Sequence, residues 1–307
     1  MLQTVLGSTG VIGTEIAKAL PQYTDHIRLV SRNPKKVNPD HEIIQADLLD
    51  AEQTFHAVEG SEVVYLTPGL KYTIKVWREQ WPRIMQNTIN ACKKTGAKLI
   101  FFDNVYMYGK VDGWMTEDTP YNPISKKGEV RAHIARILMD ETRNGTLKAL
   151  IARSADFYGP GASTGVGNVL VIDNLKKGKK AQWMGDPGKK HSFTYTVDAG
   201  RATALLGNTD SAFNQEWHLP TAKETLTGKE FIELVAAQAG VEPNFMTLNK
   251  GMLKMAGLFN SMIRELPEMY YQNQNDYLFD SSKFDKAFDF QSTSYKESID
   301  ETLNAIE

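Results

Sequence analysis

The sequence predicts an α/β fold in which a doubly wound parallel sheet carries helices on both faces, with a smaller α/β domain towards the C-terminus. Short apolar segments alternate with segments of helical periodicity over the first half of the chain. A glycine-rich turn follows the first apolar segment, and glycines and prolines break the pattern after residue 157. Alternating strands and helices favour a parallel sheet because each crossover helix packs back onto it.

Six apolar runs predict the strands of this sheet, at residues 2–6, 27–30, 43–45, 63–66, 99–102 and 147–152. Long segments of helical periodicity lie between the later strands, and one of them carries an apolar stripe made of Trp77, Trp81, Ile84, Thr88 and Cys92. Farther along, the pattern predicts a helix over about 169–177, a strand over 191–196 and helices over 198–206 and 227–239. A doubly wound sheet binds ligands at the carboxyl ends of its strands.

Charge and cysteine content exclude several classes of partner. The 307 residues include 35 basic and 37 acidic side chains, so a net charge of −2 gives no electrostatic case for nucleic acid. No apolar run approaches the ~18 residues that span a bilayer, and we expect no membrane association. The single cysteine, Cys92, cannot form an internal disulfide and suits a cytoplasmic protein. The six histidines lack ligand spacing, and no metal site is expected.

A turn with three glycines joins the first predicted strand to a helix predicted over 12–20. Gly7 allows a tight turn, Gly10 lets a ligand approach the backbone, and Gly13 lets the helix pack against the sheet. The free N–H groups and the dipole at the helix N-terminus favour anions. The turn therefore predicts a dinucleotide site, formed by Gly7, Ser8, Thr9, Gly10, Val11, Ile12 and Gly13.

The end of the second predicted strand indicates which dinucleotide binds. Proteins that bind NAD usually have an acidic residue here, which hydrogen-bonds the ribose hydroxyls, and its carboxylate would repel the 2′-phosphate of NADP. The chain has Ser31 and Arg32 instead, with Lys35 and Lys36 nearby, and an arginine pairs with phosphate. These residues favour NADP over NAD. The alternative is that Arg32 is a surface residue in a basic turn.

The spacing Gly-x-x-Gly-x-x-Gly resembles the extended short-chain dehydrogenase/reductase family, the NAD(P)-dependent epimerase/dehydratase group. Segments 122–125, 153–161, 191–202 and 277–280 resemble stretches of the same family in the same order. Ala46-Asp47-Leu48 resembles the segment that contacts adenine, so the resemblance implies a cofactor contact by Asp47 and Leu48. We also expect a contact by Thr67, which follows the fourth predicted strand.

The catalytic positions depart from the family pattern. Counting back from Tyr108-Gly109, the place of the family Ser or Thr holds Asn104, and the places of the family Tyr and Lys hold Lys127 and Arg131. Dehydratases of this family have Asp-Glu after the Ser or Thr, but Val105-Tyr106 stands here, which disfavours a dehydratase of that type.

The replacements suggest a modified catalytic set. A protonated Lys127 can donate to a developing alkoxide, and Asn104 can hydrogen-bond a substrate oxygen. The resemblance implies that Arg131, and with it Lys127, also contacts the cofactor, with Arg131 as a clamp on the ribose. Lys127 and Arg131 are four residues apart and share a helix face, so the alternative is a solvent-facing basic pair.

These features favour an NADP(H)-binding oxidoreductase or epimerase-like enzyme that acts on a small carbonyl-type substrate. Asp156 stands where relatives that bind nucleotide sugars often have Asn, and its carboxylate would repel a pyrophosphate. A second interpretation is a catalytically inactive NADP(H)-binding redox sensor or regulatory protein, because the binding turn is intact while the catalytic triad is replaced. A third is a purely structural subunit without cofactor.

We expect residues 1–157 and roughly 190–214 to form the dinucleotide-binding domain. The substrate domain is expected over roughly 158–189 and 215–307. The resemblance also implies a homodimer, formed by the helices at 77–95 and 125–142.

Overall fold

The computed structural model of the chain describes residues 1–260 and 263–306. In chain order its strands are β1 (Leu2–Leu6), β2 (His26–Ser31), β3 (Glu42–Gln45), β4 (Val63–Leu66), β5 (Lys98–Asp103), β6 (Trp114–Met115), β7 (Ala149–Arg153), β8 (Asp156–Tyr158), β9 (Ala181–Met184), β10 (Phe193–Tyr195), β11 (Glu216–His218), β12 (Phe245–Leu248) and β13 (Leu278–Phe279).

The α-helices are α1 (Val11–Ala19), α2 (Ala51–Val58), α3 (Ile74–Thr95), α4 (Lys126–Arg143), α5 (Asp173–Lys176), α6 (Thr196–Gly207), α7 (Gly228–Ala239), α8 (Lys250–Ala256), α9 (Tyr271–Gln274), α10 (Ser282–Ala287) and α11 (Tyr295–Asn304). Short 3₁₀ helices cover Leu20–Gln22, Tyr106–Tyr108, Asp210–Ala212 and Ile263–Glu268, and a π-helix covers Gly167–Ile172. The helix predicted over 169–177 is therefore a π-helix followed by α5.

Two compact units make up the chain. The first consists of Met1–Met107, Lys127–Ser154 and Ala199–Leu219, and the second of Tyr108–Lys126, Ala155–Asp198 and the chain from Pro220 onward. These bounds differ from the expected domains in several segments. Tyr108–Lys126 and residues 155–157 and 190–198, which we expected in the dinucleotide-binding domain, lie in the second unit. Strand β11, which we expected in the substrate domain, pairs with β7 in the first unit. The binding roles of the two units stay predictions.

A seven-stranded parallel sheet forms the first unit, in the order β11-β7-β5-β4-β1-β2-β3. The prediction of a doubly wound parallel sheet is confirmed. All six predicted strands are present with ends shifted by at most two residues, and β11 is the strand that was not predicted. The strand order reverses between β1 and β4, and a crevice forms at such a switch point because the two connections leave to opposite sides.

The second unit has an aromatic core and three short parallel strand pairs, β8 with β10, β9 with β12 and β6 with β13. Tyr158, Phe193, Phe231 and Tyr295 are buried together in this core. Helix α7, which was predicted over 227–239, begins with a capping box between Thr227 and Glu230. Within the described ranges, no helix combines the length and the apolarity that a bilayer crossing requires.

Candidate cofactor and active site

The turn between β1 and α1 has a backbone that only glycine fits at two positions. Gly7 has a φ of +89°, and a Cβ there would lie 2.6 Å from the backbone of Pro68. A Cβ on Gly13 would lie 2.7 Å from the carbonyl oxygen of Gly7 and 2.8 Å from the Cα of Ser8. Because neither glycine has a side chain, α1 can pack closely against the turn, and the turn against the loop that follows β4.

Gly10 differs from the other two glycines because a Cβ there meets no close neighbour. The nearest atom would be the Gly7 carbonyl oxygen at 3.4 Å, an ordinary van der Waals distance. Gly10 is the N-cap residue of α1, no side chain caps the helix, and its first turn has no acidic residue. The first N–H groups of the helix therefore remain for an anion. This backbone cradle fits the pyrophosphate of a dinucleotide.

Two of the predicted cofactor residues use their side chains to hold the turn. The Ser8 hydroxyl donates to the Val30 carbonyl oxygen at 3.2 Å, and the Thr67 hydroxyl donates to the Leu6 carbonyl oxygen at 3.0 Å. Ile12 is buried as well, whereas Thr9 is exposed. Ser8 and Thr67 thus position the backbone of the turn.

The predicted ribose and adenine residues follow the neighbouring strands β2 and β3. Ser31 ends β2, its hydroxyl accepts from the Asn33 N–H at 3.2 Å, and Arg32 is exposed directly beyond it. A backbone bond from Ala46 to Ser31 joins the two loops. Asp47 accepts from the Leu49 N–H at 3.0 Å. Leu48 is buried, and its carbonyl oxygen accepts from the Asn87 side chain at 2.9 Å.

Lys127, on α4, is completely buried. Its ammonium nitrogen Nζ lies 4.6 Å from the ring centroid of Tyr72, a residue in the loop between β4 and α3. This loop also carries Thr67, so Lys127 lies at the carboxyl edge of the sheet. Arg131, one turn farther along α4, is also buried. The alternative of a solvent-facing basic pair is therefore wrong.

The guanidinium of Arg131 packs between aromatic rings and a carboxylate. Its Cζ lies 4.0 Å from the ring centroid of Trp81 and 4.7 Å from that of Trp77, and its Nη1 lies 3.2 Å from an oxygen of Asp103. Burial lowers the pKa of Arg131, and the charge of Asp103 opposes this effect. The buried Nε–H has no hydrogen-bond acceptor among the described residues. The ribose-clamp role of Arg131 stays a prediction.

Asp103 is the centre of a buried charge network at the end of β5. Besides Arg131 it pairs with Arg153, whose Nη1 lies 2.5 Å from the second carboxylate oxygen. Arg153 is also completely buried, and it pairs with Glu216 of β11 at 2.8 Å. The network therefore joins α4 to three adjacent strands. The sequence offered one signal for it, an acidic residue at the end of an apolar strand.

Asn104 follows this network directly. Its carbonyl oxygen accepts from Arg153 at 3.2 Å, and its side-chain Oδ1 accepts from the Tyr106 N–H at 3.1 Å. Asn104 thus begins the short 3₁₀ helix, and its side-chain Nδ2 is the group that can donate to a substrate oxygen. Its role as oxyanion partner stays a prediction.

Two phenols complete this part of the first unit. The hydroxyls of Tyr72 and Tyr106 lie 3.4 Å apart, and both side chains are half-buried. Tyr106 stacks on Trp77, and Tyr72 packs edge-on against the same indole. Tyr106 was identified in the sequence because it stands, with Val105, where dehydratases of the family have Asp-Glu. Tyr72 was missed, because nothing in a loop sequence indicates which helix the loop will cover.

Asp156 of the second unit is paired with a histidine. Its Oδ2 lies 3.0 Å from Nε2 of His191, and the His191 ring stacks on Tyr277 with 4.4 Å between ring centroids. The backbone N–H of Asp156 donates to the Tyr277 hydroxyl at 3.2 Å. The Asp156 side chain is 18% exposed. A partly exposed carboxylate is therefore held in a fixed orientation.

Comparison with curated proteins gives two partial matches. An Arabidopsis thaliana protein named 3beta-hydroxysteroid-dehydrogenase/decarboxylase isoform 2 is 29% identical over 221 residues, which are 65% of this chain and 38% of the relative. A Bacillus subtilis protein named uncharacterized UDP-glucose epimerase YtcB is 21% identical over 227 residues, 66% of this chain and 72% of the relative. The match thus spans well under half of the Arabidopsis protein.

Solved structures match over the whole chain. The UDP-glucose 4-epimerase of Thermus thermophilus in complex with NAD superposes with a TM-score of 0.81 at 19% identity, covering 99% of this chain and 98% of that one. The UDP-glucuronic acid 4-epimerase of Bacillus cereus in complex with NAD gives a TM-score of 0.79 at 19% identity, covering 100% and 98%. At this identity the likeness concerns the fold.

The model of the NAD dependent epimerase/dehydratase family matches residues 3–217, which include every predicted cofactor residue and Asn104, Lys127 and Arg131. The resemblance stated from the sequence motifs is thereby confirmed, and with it the class of an oxidoreductase or epimerase-like enzyme. By its glycine turn, its fold and this match, the chain belongs to the NAD-dependent epimerase/dehydratase family.

Proposed function

We propose that this chain is an NADP(H)-dependent oxidoreductase that reduces a carbonyl group, and that the buried ammonium of Lys127 is required for the proton transfer to the carbonyl oxygen. The supporting observation is the buried ammonium of Lys127 at the carboxyl edge of the sheet, beside Tyr72. A bound nicotinamide supplies the hydride in such a reaction. The residues of the chain hold the carbonyl oxygen, through Nδ2 of Asn104, and stabilise the charge that develops on it.

For the cofactor we propose NADP rather than NAD. The NAD-containing structures that share the fold leave this choice open at their level of identity. Support comes from the end of β2, where the exposed Arg32 follows Ser31 and no carboxylate stands at either position. An exposed guanidinium can pair with a 2′-phosphate by two parallel hydrogen bonds.

For the substrate we propose a carbonyl compound without a diphosphate group. The fixed and partly exposed carboxylate of Asp156 disfavours a pyrophosphate in the second unit. The name of the Arabidopsis relative, a hydroxysteroid dehydrogenase, agrees with this class but not with the small size expected from the sequence. The second candidate is a sugar nucleotide, favoured by the whole-chain likeness to UDP-sugar epimerases.

A panel of small ketones, steroid ketones, UDP-sugars and dTDP-sugars with NADPH or NADP tests these candidates. We expect consumption of NADPH with a ketone and none with the nucleotide sugars. Turnover of a nucleotide sugar alone would support the second candidate. Tight NADP(H) binding without turnover of any compound would favour the binding-only interpretation over the enzyme. The homodimer also stays a prediction, to be tested by the mass of the protein in solution.

Arg32→Asp tests the choice of cofactor. We expect the wild type to bind NADPH about 10- to 100-fold more tightly than NADH, because a charge-assisted pair contributes about 1.5–3 kcal/mol. The variant should lose this preference while its affinity for NADH is kept. Titration of both cofactors measures the effect, and Arg143→Asp, an equal change of charge near the end of α4, is the control. Equal affinities of the wild type for both cofactors would refute the NADP proposal.

Lys127→Met tests whether Lys127 takes part in the proton transfer. The methionine fills a similar volume without a charge, so we expect carbonyl reduction to fall by about 10²- to 10⁴-fold, a larger effect than any loss of NADPH binding from the predicted cofactor contact of Lys127. Lys126→Met is the matched control, because Lys126 precedes it on the same helix and is exposed. A Lys127→Met protein that reduces the ketone at the wild-type rate would exclude Lys127 from the reaction.

A further inference from the structure

We infer that the proton passes to the substrate from the phenols of Tyr106 and Tyr72, and that Lys127 acts on the reaction through them. This inference rests on the proposed carbonyl reduction and names two catalytic residues for it. It follows from three features of the first unit: the covered ammonium of Lys127, the paired hydroxyls of the two tyrosines, and the fixed orientation of their rings.

The first feature is that Lys127 has no exposed surface. Its relative exposure is 0%, and the ring of Tyr72 lies over its ammonium group at 4.6 Å. The ring of Tyr72 is thus one of the groups that separate the ammonium from a substrate oxygen. Tyr72 itself is half-buried, so part of the phenol that covers the lysine is accessible.

The second feature is the contact between the two hydroxyls. Their oxygen atoms are 3.4 Å apart, longer than an ordinary O–H···O hydrogen bond of about 2.7 Å. Contacts of this kind often tighten when the substrate binds. Tyr106 is also half-buried, and it lies two residues after Asn104, the proposed oxyanion partner. We therefore assign the direct proton transfer to Tyr106, because its backbone is bonded to Asn104, the residue proposed to hold the carbonyl oxygen.

The third feature is that the surroundings hold both rings in place. The Tyr106 N–H donates to Asn104 at 3.1 Å, and its ring stacks on Trp77 with an interplanar angle of 15°. The ring of Tyr72 packs edge-on against the same indole, with an interplanar angle of 84°. Arg131, stacked on Trp77, adds a second positive charge beside the two phenols.

The proton transfer balances without a further reactant. As hydride reaches the carbonyl carbon, the Tyr106 hydroxyl gives its proton to the carbonyl oxygen, and an alcohol forms. Tyr106 regains a proton from the Tyr72 hydroxyl across the contact between them. The negative charge then rests on the Tyr72 oxygen, where the ammonium of Lys127 stabilises it, and water returns the proton to Tyr72.

The first test follows the phenols directly and needs no substrate. Tyrosinate absorbance in the near ultraviolet is recorded against pH for the full chain, and the signal of Tyr72 is the difference between the wild type and Tyr72→Phe. The same difference is taken with Lys127→Met in both proteins. We expect the Tyr72 signal to develop at lower pH when Lys127 is present. The same pH with and without Lys127 would overturn the inference.

The second test uses a ketone that the wild type reduces. We expect Tyr106→Phe to lower kcat by about 10²-fold or more and Tyr72→Phe by a smaller factor, both with unchanged affinity for NADPH. Tyr23→Phe is the matched control, a half-buried tyrosine after α1 that should react at the wild-type rate.

The outcomes separate the inference from the proposed function. Full activity of both Phe variants, together with loss of activity in Lys127→Met, would make Lys127 the direct donor and overturn the tyrosine route alone. Absence of turnover by the wild type would overturn the proposed function. In that case the absorbance titration still decides whether the charge of Lys127 acts on Tyr72.

Discussion

Asp103→Asn is expected to lower the free energy of unfolding by about 3–5 kcal/mol, the usual cost of removing one partner from a buried ion pair. Asp103 is 2% exposed and lies between two buried guanidinium groups, Arg131 and Arg153. Asparagine has nearly the same shape but no charge. Arg153 keeps Glu216 as a partner, whereas the contacts of Arg131 that remain among the described residues are with aromatic rings. The decrease in the free energy of unfolding therefore comes mainly from Arg131, whose buried charge loses its carboxylate partner. Urea unfolding of both proteins measures it.

The chain contains a matched control for this experiment. Asp210 also lies between two cations, Lys98 at 2.5 Å and Lys148 at 3.3 Å, but its side chain is 77% exposed. Water screens these pairs, so Asp210→Asn should unfold at nearly the wild-type urea concentration. If the two substitutions destabilised the protein equally, burial would not be the source of the effect at Asp103.

Gly13→Ala is expected to lower the stability of the protein, whereas Gly10→Ala is expected to weaken NADPH binding. The added methyl group of Gly13→Ala meets two backbone atoms closer than 3.0 Å, so α1 has to move away from the turn. We expect a loss of about 1–3 kcal/mol in stability.

The methyl group of Gly10→Ala has space within the protein. In the proposed site it would project towards the pyrophosphate. That variant should keep its melting temperature and bind NADPH about 10- to 100-fold more weakly.

Thermal unfolding without cofactor and titration with NADPH separate the two effects. Gly69→Ala is the control, because a Cβ on this glycine of the nearby loop meets no atom within 4 Å. It should change neither quantity. Unchanged NADPH affinity in a stable Gly10→Ala protein would contradict the proposed position of the pyrophosphate.

The sheet and the cofactor turn could be predicted because their signals are local. Each buried parallel strand is a short apolar run, and the glycine positions are set by backbone contacts that recur wherever a strand, a tight turn and a helix meet. Strand β11 escaped prediction because it has three residues, Glu216–His218, and only its pairing with β7 makes it a strand. The ion pair between Glu216 of this strand and Arg153 could therefore not be predicted either.

The surroundings of Lys127 and Arg131 could be predicted only in part. Their spacing correctly placed them on one helix face, yet two basic residues in a charged helix normally face water. They are buried because α3 presents two tryptophans to Arg131 and the preceding loop lays Tyr72 over Lys127. Both contacts join residues some fifty positions apart in the sequence, and local periodicity carries no information about them.

The connection between β4 and α3 has a consequence for changes of chain length. Its first residues touch the glycine turn, through Pro68 beside Gly7 and Thr67 beside Gly13, and Tyr72 near its end covers Lys127. Surface connections usually accept inserted residues. Here a single added residue after Pro68 would shift Tyr72 away from the lysine while the glycine turn stayed in place. The length of this segment, as much as its composition, is therefore under constraint, and we expect a deletion or insertion in it to impair the proposed reduction more than the proposed dinucleotide binding.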